Sequence, residues 1–211
     1  MSAHAHAHPN VDWPVDGNFG TASPAKLAMW IFLLSDFLSF VGLLLAYGIL
    51  RGASKQWHNP GEPELSIPFT ALLTALLIAS SVSMLLAQNA ARRHDQKATS
   101  RWLAVTALGG MLFLVGQYSE WFGLGGSAGL IKEGLVFGHS AYASTFYVIT
   151  GFHGMHVTAG VVYLLVTLGR SLAKPIGAGP VELVGLFWHF VDLVWNLVFA
   201  LVYLIPTGGG Q

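Results

Sequence analysis

Residues Trp188 to Asn196 read W-H-F-V-D-L-V-W-N and set a histidine, an aspartate and an asparagine inside a run, 181–205, that is otherwise apolar. On a helix, His189 and Asp192 are neighbours three residues apart, and Asn196 lies one turn beyond Asp192. The stripe extends backwards through Gly185 to Glu182. Side chains of these types suit two kinds of chemistry: hydrogen bonding that holds helices together, or the binding and relay of a ligand or proton. An ionisable group in hydrocarbon costs a few kcal/mol even on lenient scales, so the stripe is expected to face protein or water. The opposite side of the run, with Leu186, Val191, Leu193, Leu197 and Val198, is expected to face outwards.

Partners of the right type occur on other apolar runs. Asp36 follows Lys26 by ten residues, about 15 Å along a helix, and therefore sits near mid-membrane. A further run contains T-G-F-H-G-M-H-V-T-A-G, with His153 and His156 near its centre and Gly151, Gly154 and Thr158 close to one stripe. Asp36, the His153/His156 pair and the His189/Asp192 pair fall at similar depth on three helices. The economical expectation is one buried polar network of Asp36, His153, His156, Glu182, His189 and Asp192. Glu120, after Gln117 and Ser119, is a secondary candidate that reads equally as an interfacial acid in contact with water.

A His-x-x-His pair can chelate an ion, and imidazole suits zinc, copper and iron. Only His153, His156 and His189 of the nine histidines lie deep, however: His58, His94 and His139 fall in or beside loops, and His4, His6 and His8 belong to an N-terminal tail. That tail could hold a divalent ion weakly if extended, but its composition reads as disordered. There is no cysteine, which excludes disulfides, iron–sulfur clusters and thiolate metal sites. No catalytic residue, cofactor-binding residue or metal ligand is therefore assigned.

These residues must be positioned by membrane helices. The 211 residues are 54% hydrophobic and 9% charged, where a soluble domain carries about 25% charge. Zero net charge removes an electrostatic case for nucleic acid. Residues 1–24 lack a basic n-region with a short apolar core, so no secretory signal is expected. Five runs, roughly 26–50, 67–88, 102–122, 140–168 and 181–205, are each long enough to cross a bilayer. The expected fold is all-α: an irregular His-rich tail over 1–24, a five-helix transmembrane bundle over 25–206 and a short tail over 207–211. Five spans put the termini on opposite sides. Lys26, Arg92, Arg93, Lys97, Arg101, Arg170 and Lys174 lie on the N-terminal side, against Arg51, Lys55 and Lys132 on the other. That bias predicts a cytoplasmic N-terminus and a C-terminus outside. Trp30, Trp57, Trp102 and Trp121 fall near span ends, as interfacial aromatics would.

Gly151–Gly160 together with Trp188–Trp195 resembles subunit III of the haem–copper terminal oxidases, the cytochrome c oxidase family. Met29–Asp36 (M-W-I-F-L-L-S-D), Ile78–Met84 (I-A-S-S-V-S-M), Gln117–Trp121 (Q-Y-S-E-W) and Ser144–Thr150 (S-T-F-Y-V-I-T) match further family stretches in the right order, and Glu182 stands seven residues before His189 as in the family. Three departures are visible. Aspartate stands at position 36 where the family usually has glutamate, Phe187 stands where tyrosine is common, and there are five spans where mitochondrial-type members have seven. The resemblance implies the short bacterial form: a cofactor-free bundle beside the catalytic subunit I and subunit II, with haem and copper held in the partner. It implies bound phospholipid, support of proton uptake during aerobic respiration, and residence in the bacterial inner membrane. Two alternatives stay within the wider family, a quinol-oxidase subunit III and the protein associated with nitric oxide reductases. Outside it stands an independent proton-coupled transporter using Asp36, His153 and Asp192 as a relay, although no inverted repeat supports it.

Overall fold

The computed structural model describes residues 23–123 and 128–205. Five helices account for most of them: α1 (Pro24–Ala53), α2 (Ile67–Arg92), α3 (Gln96–Phe122), α4 (Ala141–Ala173) and α5 (Ala178–Val198). Beyond Val198 the last turn of α5 widens to π-helical hydrogen bonding over Phe199–Tyr203. All five are long and apolar enough to cross a membrane, and no strand occurs among the described residues. The expected His-rich tail, 1–24, lies outside the described residues up to position 22, as does the C-terminal tail, 207–211.

Local chemistry sets the helix starts. Ser23 accepts from the Lys26 amide, Asp95 from the Ala98 amide and Ser140 from the Ala143 amide, each satisfying an otherwise free N–H of a first turn. Pro24 and Pro68 sit in first turns, where the missing N–H costs nothing. The α2–α3 connection is the tight stretch Arg93, His94 and Asp95. His94 makes the turn with φ +59°, a left-handed conformation that His tolerates better than branched residues do. α3 starts at Gln96, six residues before the apolar run does, because the Asp95 cap extends it into a charged turn above the hydrocarbon.

α2, α3, α4 and α5 form a closed ring, with α2 touching α3 and α5, and α4 touching the same two. α1 packs outside this ring, mainly on α5 and α4. The α2–α3 seam closes through small residues. A Cβ on Gly109 would come within 2.7 Å of Ser80 Cβ, and one on Gly116 would meet the Leu73 side chain.

The ring is held at its centre by Trp188. Its indole lies where a Cβ on Gly110 of α3 would collide with it, and where one on Gly160 of α4 would come within 2.9 Å. Its Nε1–H donates to Ser80 Oγ of α2 at 3.1 Å. One side chain of α5 thus meets all three other members of the ring, with its polar atom satisfied. Trp195 repeats the device one level on, donating to Thr74 Oγ1 at 2.9 Å. Val191 and Val198, expected on the outward side of α5, are buried with these tryptophans. The rings and small residues that mesh closely win the interior; the polar stripe lies to one side of it.

Candidate functional site

At mid-bundle, α1 and α4 meet through Asp36 and His156. Nε2 of His156 is 3.1 Å from Asp36 Oδ1, and the two side chains are 15% and 10% exposed. The other ring nitrogen, Nδ1, is 2.7 Å from the carbonyl oxygen of Phe152, one turn back on α4. A carbonyl only accepts, so Nδ1 carries a proton. One further proton then belongs to the Nε2···Oδ1 contact. If it sits on the ring, the pair is imidazolium and carboxylate; if on Asp36, both are neutral. In both forms the pair has no net charge, which makes it tolerable at this depth. Phe40 and Phe152 pack their rings against His156 at centroid distances of 5.2 and 4.6 Å and wall the pair off from the sides. Asp36 Oδ2 is buried without a hydrogen-bond partner among the described residues.

The remaining predicted residues lie in separate surroundings. His153 is fully buried, stacked on Trp195 at 4.8 Å and edge-on to Phe113 at 5.9 Å. Neither of its ring nitrogens has a hydrogen-bond partner among the described residues. His189 lines an apolar groove of about 470 Å³ between α1 and α5, with Trp30, Leu34, Phe37 and Phe190. Its Nε2 is buried and likewise unpartnered. Asp192 receives the Asn196 side-chain amide at 3.4 Å on Oδ1, while the same amide donates to the Asp192 carbonyl at 2.8 Å. Glu182 receives Lys26 Nζ at 2.6 Å, clamping the start of α5 to the start of α1. Hydrogen bonds therefore join Asp36 with His156, Asp192 with Asn196 and Glu182 with Lys26; none joins these three contacts to one another.

Glu120 lies at the opposite end of the bundle. It is 8% exposed at the edge of a pocket of about 290 Å³ lined also by Ser66 and Glu133, with Thr70 Oγ1 at 3.0 Å from Oε1 and the Tyr203 hydroxyl donating to Oε2 at 3.1 Å. The π-helical turn Phe199–Tyr203 precedes this contact, and the Leu130 amide donates to the Glu120 carbonyl from above. Thr70 and Tyr203 carry no spacing signal that would have paired them with Glu120; only the fold brings them together. Trp57, expected at an interface, is instead buried 5.3 Å from Tyr47 and 5.9 Å from Tyr142. In a double-mutant cycle, Tyr203→Phe and Glu120→Leu are expected to show a coupling of about 0.5–3 kcal/mol, because each removes the other's partner. Additive losses in unfolding measurements would mean that the contact contributes nothing.

Among the described residues, no group of three or more His, Asp or Glu side chains is placed to hold a metal ion. The chemistry available is that of a proton shared between Asp36 and His156 and of a polar joint at Glu120. Comparison with known proteins identifies the family of the chain. Over residues 16–207 the chain matches the family model described as cytochrome c oxidase subunit III. It is 37% identical over 194 residues to a cytochrome c oxidase subunit 3 from Synechocystis, covering 90% of this chain and 79% of that one. The subunit 3 of Thermostichus vulcanus is 35% identical, covering 96% of this chain and 91% of that one. That of Corynebacterium diphtheriae is 36% identical, covering 90% and 97%. With its five apolar helices and the match running from before α1 to beyond α5, the chain belongs to the cytochrome c oxidase subunit III family.

Proposed function

We propose that this chain is the accessory subunit III of a proton-pumping haem–copper terminal oxidase in a bacterial inner membrane, packed beside catalytic subunit I and subunit II. The observation that carries the reading is the subunit III match along 16–207, which takes in all five spans. In this role the chain has no cofactor of its own; haem and copper belong to the partner. It steadies the catalytic subunit, binds phospholipid and supports proton uptake. The groove between α1 and α5, lined by Trp30, Leu34, Phe37 and Phe190, supports the lipid-binding part, since it offers an apolar wall of acyl-chain character. The proton shared by Asp36 and His156 supports the part concerning proton uptake. The charge distribution supports a cytoplasmic N-terminus, and the relatives' bacterial sources support the location.

Purification in mild detergent tests the proposal. The chain is expected to elute with a partner that shows haem absorbance, and its depletion should leave those spectra intact while shortening the working life of the oxidase. Elution without any haem-bearing chain, together with proton-coupled transport by the reconstituted chain alone, would overturn it.

A further inference from the structure

The α2–α3 turn is strongly cationic. Arg92, Arg93, Lys97 and Arg101 are all exposed, and Asp95 is the acid among them, so residues 92–101 carry four positive charges and one negative, a net +3 with His94 neutral. The carboxylate of Asp95 is engaged in capping α3 through the Ala98 amide. The ion pairs formed among the described residues are Lys26–Glu182 and Asp36–His156, so none of the four cations is paired with an acid among the described residues. The end of α4 adds to the same pole. Gln96 donates to the Ser171 carbonyl at 3.1 Å and Ser100 bonds Ser171 at 3.0 Å, which brings exposed Arg170 and Lys174 to this end of the bundle.

Below the cations the surface turns apolar without a break. Leu85, Leu86, Val105 and Leu108 are exposed along α2 and α3. Where the two zones meet, a cavity of about 180 Å³ opens between the helices, with Leu86, Asn89 and Arg93 of the α2 side facing Asp95 and Trp102 of the α3 side. Trp102 is 36% exposed and stands between the cationic and apolar zones. An occupant that uses all of this surface needs a negative head and an apolar tail. An acidic peptide would answer the cations and leave the apolar wall bare; a neutral lipid would do the reverse.

We infer that the α2–α3 turn is a binding site for an anionic phospholipid, with the head-group phosphate at Arg93, flanked by Arg92, Lys97 and Arg101, and an acyl chain running down past Leu86 and Trp102. The site lies apart from the groove between α1 and α5. It gives the lipid-binding part of the proposed function a second place and a head-group class, and it does not depend on an oxidase partner.

The test uses the full chain in phosphatidylcholine vesicles in which about a tenth of the lipid is brominated, either as phosphatidylglycerol or as phosphatidylcholine. Bromine quenches tryptophan on contact, and the quenching due to Trp102 is the difference between the wild type and Trp102→Phe. That component is expected to be roughly three-fold or more stronger with brominated phosphatidylglycerol than with brominated phosphatidylcholine, and the excess should fall as salt rises. In the combined variant R92Q/R93Q/K97Q/R101Q the two lipids should quench equally. Continued quenching by phosphatidylcholine shows that this variant is folded with Trp102 still facing lipid. Equal quenching by both lipids in the wild type would overturn the inference. So would loss of quenching by both in the assembled oxidase, because an acidic partner protein would then cover the turn. Neither outcome touches the accessory role, which rests on co-purification.

Discussion

Replacing Gly110 by valine is expected to break the bundle at its centre. A Cβ there would come within 2.7 Å of Val161 Cγ2 and closer still to the Trp188 ring. The ring has nowhere to go: its nitrogen is tied to Ser80, and its other edge lies against Gly160, whose own Cβ position is 2.9 Å away. Overpacking of this kind costs typically about 1–3 kcal/mol, and a branched side chain against an immobile indole belongs at the upper end. For a chain of this size, that corresponds to roughly 6–12 °C in the midpoint of thermal unfolding in detergent. Gly154→Ala is the control, since a Cβ at Gly154 meets no atom within 4 Å and should leave the midpoint unchanged. Equal behaviour of Gly110→Val and Gly154→Ala would show that Trp188 is not clamped between α3 and α4.

Asp36 offers the second large effect, and here the chemistry of the replacement decides the result. In Asp36→Asn the side-chain amide N–H can donate to His156 Nε2 while Nδ1–H keeps its bond to the Phe152 carbonyl, so a mild loss is expected. Asp36→Leu leaves Nε2 facing a methyl group at the same depth, and an abandoned buried donor or acceptor costs about 1–3 kcal/mol. Retention of this chain in the oxidase complex on detergent washing should separate the two variants clearly. If they wash out at the same rate, the 3.1 Å contact is not a determinant of the fold.

These two sites differ in how far they could be read from the sequence. The helices themselves were legible because membrane spans are set by length and apolarity, and α2 begins at Ile67 as its apolar run does. The acid at position 36 and the histidines of the fourth run were legible as groups that cannot face lipid. Their pairing was not, because helical spacing gives depth and not azimuth: His156 rather than His153 turns towards α1, and His153 goes among the rings of Phe113 and Trp195. The tryptophans of α5 read as ordinary apolar residues, yet their nitrogens reach Ser80 and Thr74 on a helix more than a hundred residues away in sequence. Nothing in the composition of 199–203 announces a π-helical turn, nor that its last residue, Tyr203, reaches Glu120 across the bundle. The start of α3 was hidden by charge: Lys97 and Arg101 look like loop residues, and the helix carries them above the bilayer.

The position of α1 outside the ring also sets a schedule for assembly. α1 emerges before the ring during synthesis, but Asp36 waits for a partner 120 residues later, and Lys26 for one 156 residues later. At about 5–20 residues per second, Asp36 is without His156 for roughly 6–24 seconds while α2 and α3 enter the membrane and zip together. During that interval it is an acid on a lone helix whose outward face, with Ile31, Leu34, Leu38 and Leu45 more than half exposed, already belongs to lipid. α1 is thus made well before the helices that seat it. A chain that stops before α4 would lack both contacts that tie α1 to the ring, leaving the Asp36 carboxyl and the Lys26 amine unmet.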